Sequence, residues 1–426
     1  MKLKKFAIWI SAMLCAVVLS ACGGSSDDGS ANLRVLNGTH DYGAIDFYTS
    51  DTLTLSGVAE GTVSSYLGYT EGSYAFKLKP AGTSTTALSN SLSLAKDTSY
   101  TLVAYSNGTS LATTYFTDNQ GAPTSGTAAM RIFNGATSAG YVDVYFTATD
   151  ADFSTASPTA SSVASAAITS YVELAKGTYR VRVTGYGDKT DIRLDIPSVT
   201  LSDQQIATFM LTGTSGGVLV NGLLVNQGST VTSYKNANAR LRVVAAVTGN
   251  GTVTASTTDS TISTSLQAPS VGSYVATPAA LTGLSVAVNG TAVDTSSLAL
   301  TAGTDATLLV YGDAASPQVK LLVDDNAPAS ASTNAKIRLV NVLNGLGSTI
   351  TLNADYVAVA DNVAFGAAST PASITASTSM RLEVTTPVRT AALYTATDVS
   401  LAAAKVYTMF LMGDSSAPVA VLRKDR

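Results

Sequence analysis

Short runs of alternating apolar and polar residues, separated by turn residues, fill the chain after about residue 30. Between residues 130 and 225 they read MRIFNG, YVDVYF, AAITSYVEL, TYRVRVTGY, IRLDIPSVTL, ATFMLTG and VLVNGLLV. Alternation with a period of two is typical of strands that bury one face. About seven strands in roughly a hundred residues predict an all-β, immunoglobulin-like β-sandwich. The pair Asn107-Gly108 predicts a tight hairpin, because a type I′ turn needs residues that accept positive φ.

The same pattern occurs four times along the chain. An Arg in an opening strand recurs with spacings of 97, 111 and 96 residues, at Arg34, Arg131, Arg242 and Arg338. The stretches QGAPTSGT, QGSTVTSYKN and NAPASASTN separate the units and are interpreted as linkers, because Gly, Pro, Ser and Asn interrupt the pattern there. We therefore predict tandem sandwich repeats over residues 31–119, 128–226, 238–325 and 335–426, the third of them divergent.

A second recurring feature is a Leu six residues before a Tyr-Thr or Ala-Thr pair, at Leu94, Leu201, Leu300 and Leu401. In sandwiches of this kind, a Tyr at the start of a late strand can hydrogen-bond to backbone a few residues upstream, which forms a tyrosine corner. Tyr100 and Tyr407 fit this role. Ala207 and Ala306 cannot make the bond, so we expect the second and third repeats to hold this crossover by packing alone.

The opening Arg also has an Asp twelve residues downstream in the first two repeats. Arg34 and Asp46 form one such pair, and Arg131 and Asp143 form the other. A hairpin centred near residue 40 would place Arg34 opposite Asp46, so this spacing predicts a cross-strand ion pair.

The strand after the corner is apolar on both faces in every repeat. One face carries Leu102, Phe209, Leu308 and Met409, and the other carries Val103, Met210, Leu309 and Phe410. A sheet with one face in water would alternate apolar with polar residues. We therefore expect a neighbouring repeat or a crossing segment to cover the second face. The alternative is that at least one repeat leaves this face open for a partner.

The N-terminus has the pattern of an export signal. Lys2, Lys4 and Lys5 precede an apolar stretch over residues 6–19, which is short for a permanent membrane span. Residues 19–22, Leu-Ser-Ala-Cys, resemble the lipobox of bacterial lipoproteins, in which cleavage precedes an acylated Cys. We predict a lipoprotein signal peptide over residues 1–21, lipidation of Cys22 and a polar tether over residues 22–30. A membrane-anchor helix is the alternative.

Composition narrows the class of protein further. Without the three signal lysines, 22 basic residues face 29 acidic residues, which gives a formal charge of −7 and argues against a nucleic-acid partner. Cys15 leaves with the signal, so the predicted mature chain keeps only Cys22 and cannot form an internal disulfide. We expect its stability to come from core burial in several domains.

One stretch of the chain matches the motif of a catalytic serine. Residues 213–217, Gly-Thr-Ser-Gly-Gly, match G-x-S-x-G, with Ser215 as the nucleophile. Such a motif requires a strand-to-helix turn and a nearby His. Here it separates two apolar strands, and the sole His, His40, belongs to another repeat. We interpret the motif as a hairpin turn and keep a catalytic Ser215 as the alternative.

Candidate metal ligands are few and scattered. They are His40-Asp41, Asp150 with Asp152, and Asp324-Asp325. None has the spacing of a calcium loop or of a Cys/His cluster. We predict no metal, no cofactor and no catalytic residue.

The repeated stretches resemble a known family. The R-x-x-N opening, the strands IDFY at residues 45–48 and VDVYF at 142–146, AKGTYRVRVTG at 175–185 and LAKDTSYTLVAY at 94–105 are similar to the bacterial domain-of-unknown-function family 4397. The resemblance is good over the first two repeats, moderate over the fourth and poor over the third. It implies tandem β-sandwich modules on secreted or lipid-anchored envelope proteins. No general activity comes with the family, so no catalytic residue is carried over.

Together these features predict a lipid-anchored protein of the bacterial cell envelope with a structural or protein-binding role and no catalysis. Gly23 after Cys22 resembles the outer-membrane class of lipoproteins, facing the periplasm or the cell surface. The expected partners are the membrane, through the lipid, and either an envelope protein or a glycan. We expect the modules to extend the chain away from the membrane. The alternative is a carbohydrate-binding or adhesive surface lipoprotein.

Overall fold

The computed structural model describes residues 30–108 and 110–426. The predicted signal peptide, Cys22 and Gly23 lie outside the described residues. Within the described ranges the chain is all-β, with 35 strands and one short 3₁₀ helix at Thr137–Ala139. The prediction of an all-β fold built from tandem sandwiches is therefore confirmed.

The strands group into four sandwiches. The first contains β1 (Ser30–Gly38), β2 (Ala44–Thr49), β3 (Thr52–Ala59), β4 (Leu67–Thr70), β5 (Gly72–Pro80), β6 (Leu88–Leu94), β7 (Ser99–Asn107) and β8 (Ser110–Thr117). The second contains β9 (Thr127–Asn134), β10 (Val142–Thr147), β11 (Ala160–Val163), β12 (Val172–Ala175), β13 (Gly177–Gly185), β14 (Asp188–Leu201), β15 (Ile206–Gly213), β16 (Val220–Asn226) and β17 (Val231–Tyr234).

The other two sandwiches follow in the same way. The third contains β18 (Asn238–Val247), β19 (Thr252–Ser256), β20 (Thr261–Gln267), β21 (Ser270–Val271), β22 (Val275–Pro278), β23 (Ser285–Val288), β24 (Thr291–Val293), β25 (Asp305–Asp313) and β26 (Ser316–Asp324). The fourth contains β27 (Asn334–Asn341), β28 (Ile350–Ala354), β29 (Val357–Val363), β30 (Ala367–Ala368), β31 (Ala372–Thr375), β32 (Ser377–Thr386), β33 (Arg389–Leu401), β34 (Val406–Asp414) and β35 (Ala417–Lys424).

Each sandwich has two sheets, and the central strands of these sheets follow a common order. In the first sandwich, the sheet that we call the pairing sheet has the order β4-β1-β7-β8, and the outer sheet has the order β3-β2-β5-β6. The other pairing sheets are built on β9 and β15, on β18 and β25, and on β27 and β34. In each pairing sheet the opening strand runs parallel to the strand after the corner. The constant immunoglobulin domain differs, because its sheets hold four and three strands.

A separate apolar core fills each sandwich. In the first, Leu33 and Val35 of the pairing sheet face Ile45, Phe47 and Leu78 of the outer sheet, all of them buried. Equivalent cores fill the other three sandwiches. Burial of alternate residues follows from the period-two pattern, since successive side chains of a strand point to opposite faces.

One predicted linker contains a strand. The stretch QGSTVTSYKN includes β17, which pairs with β16 and extends the second pairing sheet. Its half-buried end residues explain the difference, because Tyr234 packs against the core of the second sandwich and Val231 packs against the contact with the first.

The tyrosine corners form where the sequence predicts them. The Tyr100 hydroxyl accepts a hydrogen bond of 3.1 Å from Ala95 N, and the Tyr407 hydroxyl accepts one of 2.9 Å from Ala402 N. In the second sandwich, Ser202 N donates to Gln205 Oε1 at 2.7 Å. The expectation that this sandwich relies on packing alone was therefore wrong, since a Gln side chain supplies the acceptor.

Candidate functional site

The second apolar face of each pairing sheet is covered by a neighbouring sandwich. In the first and second sandwiches these faces contact each other through one shared apolar cluster of Leu36, Val103, Tyr105, Phe116, Phe133, Met210, Leu223 and Val225. The third and fourth form the equivalent cluster of Val244, Ala246, Val271, Leu309, Tyr311, Val340, Val342, Phe410 and Met412. Val103, Met210, Leu309 and Phe410 are all fully buried. The alternative that one repeat leaves this face open for a partner is therefore wrong.

The repeated Arg lies at this contact in every sandwich. Its Nε donates to the Thr beside it on the parallel neighbouring strand, at 2.7 to 3.0 Å; the pairs are Arg34 with Thr101, Arg131 with Thr208, Arg242 with Thr307, and Arg338 with Thr408. The remaining guanidinium nitrogens are free to reach the neighbouring sandwich. The recurrence of Arg and Thr thus reflects one hydrogen bond within the pairing sheet.

In the third and fourth sandwiches these guanidinium groups form ion pairs across the contact. Arg242 of the third pairs with Asp425 of the fourth, and Arg338 of the fourth pairs with Asp324 of the third. Each Asp also accepts a hydrogen bond from the Thr of its own sandwich, Thr307 at 2.6 Å or Thr408 at 2.5 Å. Buried ion pairs are tolerated when their remaining hydrogen bonds are satisfied, as they are here.

The first pair of sandwiches lacks this symmetry. Val225 faces Thr208 in the ladder. In each of the other three sandwiches an Asp accepts a hydrogen bond from the repeated Thr and lies two residues beyond the ladder partner of that Thr, a position that Gln227 occupies in the second sandwich. Arg34 instead donates across the contact to the carbonyl oxygens of Asn226, at 2.9 Å, and Ser229, at 2.6 Å. The guanidinium of Arg131 lies 4.5 Å from the ring centre of Tyr171 and 5.0 Å from that of Phe116. Burial lowers the pKa of Arg131.

The predicted ion pair between Arg34 and Asp46 does not form. Arg34 belongs to the pairing sheet and Asp46 to the outer sheet. Asp46 accepts hydrogen bonds from Gly57 N at 2.7 Å and Gly82 N at 3.1 Å. The prediction was wrong because β1 and β2 cross between the sheets and do not form a hairpin.

Asp143 has the same role in the second sandwich. It accepts hydrogen bonds from Ser162 N at 2.8 Å and Gly187 N at 3.0 Å, and so does not pair with Arg131. The Asp common to the first two sandwiches therefore holds two turns of the outer sheet.

The Asn of the R-x-x-N opening joins the two sheets of a sandwich. Asn37 donates from Nδ2 to the carbonyl oxygens of Tyr42 and Val58, and Asn134 and Asn341 make equivalent bonds to the carbonyls of Val163 and Val363. All three Asn side chains are buried. This motif is structural.

A cleft of about 750 Å³ brings together residues that the sequence places in different repeats. His40 and Asp41 line it together with Ser215, Asp325 and Lys336. His40 lies close to the G-x-S-x-G turn, a contact that the sequence did not predict. A Cβ atom added to Gly213 would lie only 3.0 Å from His40 Nδ1. Sequence reasoning missed it because the contact depends on packing between sandwiches.

The cleft does not form a catalytic dyad among the described residues. His40 Nε2 lies 3.1 Å from Asp41 Oδ1, and its buried Nδ1 has no hydrogen-bond partner. No hydrogen bond joins the Ser215 hydroxyl to His40 in the described chain, although a nucleophile and its base require one. Gly213 ends β15 and residues 214–217 lie in its connection to the antiparallel strand β16, so the hairpin interpretation of this motif is confirmed.

The other candidate acidic residues hold turns or pair with cations. Asp152 accepts hydrogen bonds from the backbone and hydroxyl of Ser154. Asp325 pairs with Lys336 at 2.6 Å. Among the described residues there is no group of three or more His, Cys, Asp or Glu side chains that could hold a metal ion. The part of the chain that the structure describes also has no helix long and apolar enough to cross a membrane.

The described chain is thus an array of β-sandwich modules that contact each other through equivalent sheets. The profile of the family described as a domain of unknown function, DUF4397, matches residues 31–145 and 239–348. These regions cover more than half of the chain, and the chain belongs to this family. The second region includes the third sandwich, so the expectation that this repeat is the poorest match does not hold.

Comparisons with other proteins do not indicate an activity for this chain. A search of the curated proteins finds no match. Similar solved structures include a CBM26 module of Eubacterium rectale Amy13K in complex with maltoheptaose, at 12% identity over 48% of this chain and 96% of that chain, with a TM-score of 0.16. The pneumococcal glycogen-degrading virulence factor SpuA in a product complex matches at 8% identity over 63% and 37%, with a TM-score of 0.17. The Bacillus anthracis TIE protein matches at 10% identity over 90% and 68%, with a TM-score of 0.15. At these scores the similarities assign no ligand to this chain.

Proposed function

We propose that this protein is a non-catalytic, lipid-anchored component of the bacterial cell envelope, in which paired modules form a rigid scaffold with a structural or protein-binding role. The observation that carries the proposal is the burial of the four pairing sheets in two pairs, the first against the second and the third against the fourth. Modules that share a buried apolar cluster, strengthened in the second pair by buried ion pairs, do not reorient independently, unlike modules joined only by linkers.

The scaffold consists of two paired units. The sequence alone favours four modules that extend the chain one after another. The pairing of the first sandwich with the second, and of the third with the fourth, makes each pair the mechanical unit. The apolar sheet faces are used within the pairs, so a partner protein would bind loops, edge strands or the cleft at His40.

The scaffold proposal is tested by breaking one pairing contact. Met210→Glu places a carboxylate in the apolar contact between the first and second sandwiches, where the native side chain is fully buried. We expect new sites of limited proteolysis around residues 118–127 and a separate, lower-temperature unfolding transition. An unchanged digestion pattern and a single transition would show that the modules do not depend on this contact.

The anchor is proposed from the agreement of the basic N-terminus, the short apolar stretch and the lipobox ending at Cys22. Mass spectrometry of the N-terminal peptide should detect acyl mass on Cys22, and the protein should fractionate with the outer membrane. Cys22→Ala should release it from the membrane fraction. An unmodified Cys22, or cleavage at another position, contradicts the anchor.

A carbohydrate-binding or adhesive surface lipoprotein is the second candidate. One observation favours it: two tyrosines of the second sandwich, Tyr141 and Tyr186, are adjacent and more than half exposed. Adjacent exposed aromatic rings supply contact area at low conformational cost, which suits recognition.

A further inference from the structure

Tyr141 and Tyr186 lie directly opposite each other at one end of the outer sheet of the second sandwich. Val142 of β10 pairs with Gly185 of β13, so the next position outward on each strand continues the antiparallel register. Tyr186 N donates to the Tyr141 carbonyl oxygen at 3.3 Å. Tyr141 immediately precedes β10 and Tyr186 is the first residue of the turn after β13, so the two tyrosines are neighbours at this end of the sheet.

Both rings are open to solvent. Tyr141 is 59% exposed and Tyr186 is 60% exposed. Most other strand tyrosines of this protein are buried or half-buried, as expected for a sandwich. Two large aromatic side chains at one exposed point of the sheet therefore require a reason other than core packing.

The fold does not require aromatic residues at this position. The equivalent pair in the first sandwich is Ala44 and Ala81, joined by the same backbone hydrogen bond at 3.0 Å. In the third sandwich it is Thr252 and Asn289, joined at 2.9 Å. The same local structure forms with small or polar side chains, so the tyrosines are dispensable for it.

The hairpin that carries Tyr186 is fixed by a hydrogen bond to Asp143. Tyr186 and Gly187 form the two-residue connection between β13 and β14, and Gly187 has a φ of +71°, which favours glycine. Asp143 accepts a hydrogen bond from Gly187 N and, through its other oxygen, from Ser162 N. A ring on a preformed hairpin loses little entropy when a ligand binds.

Polar residues follow Tyr186 in the chain. Asp188 follows the hairpin and accepts hydrogen bonds from the Thr190 hydroxyl at 2.6 Å and the Thr190 backbone at 2.9 Å. These bonds lower the pKa of Asp188, which keeps it an ionised acceptor. An exposed aromatic ring with a carboxylate and a hydroxyl on the residues that follow suits a sugar, whose C–H face stacks on an aromatic ring while its hydroxyls form hydrogen bonds.

We propose that Tyr141 and Tyr186 form a stacking platform that binds the sugar rings of a polysaccharide. This proposal rests on the carbohydrate-binding candidate and does not depend on the lipid anchor or on the rigid scaffold. Asp143 is a positioning residue for the platform, and Asp188 supplies a hydrogen-bond acceptor at its edge.

The test uses the lipid-free mature chain, residues 23–426, in affinity electrophoresis with soluble starch, xylan, galactomannan and sheared peptidoglycan. At least one of these should retard the protein. Tyr141→Ala combined with Tyr186→Ala should weaken that retardation about tenfold or more. The double variant should keep the native unfolding midpoint, because the first sandwich has alanines at both positions.

Two further variants make the result specific. Tyr356→Ala removes a tyrosine that is 77% exposed on the fourth sandwich and should leave the retardation unchanged. Tyr186→Phe keeps the stacking surface and should retain most of the binding. The only Trp, Trp9, lies in the predicted signal, so a tyrosine difference absorbance that appears on adding the polysaccharide and is lost in the double alanine variant reports the platform.

Several results would overturn the platform. They are no retardation by any of the four polysaccharides, full binding by the double alanine variant, and specific photo-cross-linking of position 186 to an envelope protein. Membrane fractionation of the double variant separates the proposals, because the anchor and the scaffold predict that it remains unchanged.

Discussion

Arg242 and Asp425 lie 183 residues apart and form a two-pronged, fully buried ion pair between the third and fourth sandwiches. Arg338 and Asp324 make the reciprocal pair from the opposite side. In each of these two sandwiches an Arg thus pairs with an Asp of the other. This is the self-complementary arrangement of an interface with two-fold symmetry. Two copies of one module in a single chain form this contact without a second chain.

Removing one partner should destabilise this contact strongly. Asp425→Ala leaves Arg242 buried beside Thr307 without its cross-contact acceptor, and a broken buried pair costs about 3 to 5 kcal/mol of unfolding free energy. Urea denaturation of the third and fourth sandwiches in the full chain measures the loss. Asp361→Ala, at an exposed position of β29, is the control and should change stability by less than about 0.5 kcal/mol. Equal stability of the two variants would contradict a structural role for the pair.

The tyrosine corner should contribute a smaller amount. Tyr100→Phe deletes the acceptor for Ala95 N and should cost about 0.5 to 1.5 kcal/mol of unfolding free energy while the fold stays intact. Tyr115→Phe is a matched control, because the Tyr115 side chain is 53% exposed and its hydroxyl makes no backbone bond in the described chain. An unchanged unfolding midpoint for Tyr100→Phe would refute the corner.

Local pattern was enough to predict the strands, the tandem sandwiches and the two tyrosine corners at Tyr100 and Tyr407. A period of two identifies which residues of a strand are buried, and Leu94 with Tyr100 forms a contact across only a few residues. The partner of Arg34 was not predictable in this way, because Thr101 is 67 residues distant and becomes adjacent only when β1 and β7 pair in parallel. A hairpin was assumed where the chain crosses between sheets.

Contacts between modules were the least predictable part of the candidate site. The apolar second face of β7 indicated that another part of the protein packs against it. Which sandwich does so depends on the shapes of two complete sandwiches. The approach of His40 to Gly213 has the same origin. No pattern within either segment indicates that the two are close.

The buried Asp of the outer sheet should make the first sandwich sensitive to acid. Burial acts to raise the pKa of Asp46, but hydrogen bonds from Gly57, Gly82 and Ser56 outweigh it and lower the pKa below the ordinary value of 3.8. A lowered native pKa stabilises the fold above pH 3.8, and this contribution is lost as the pH falls through the native value. The stability difference between the wild type and Asp46→Asn should therefore be full at pH 6 and shrink below about pH 4. A difference that is independent of pH would contradict the assignment.

The covered faces of the pairing sheets should be inaccessible in the isolated monomer. Val103 and Leu309 are fully buried, one in each pair of sandwiches, whereas Val323 on β26 is 71% exposed. The lipid-free chain from residue 23 has no cysteine, so Val103→Cys, Leu309→Cys and Val323→Cys each introduce a single thiol. A thiol reagent should label Val323→Cys at once and the other two at least about a thousandfold more slowly, since labelling must wait for opening of a contact worth several kcal/mol. If Val103→Cys reacts as fast as Val323→Cys while the protein remains folded, the first and second sandwiches separate in solution, and that face is available to a partner.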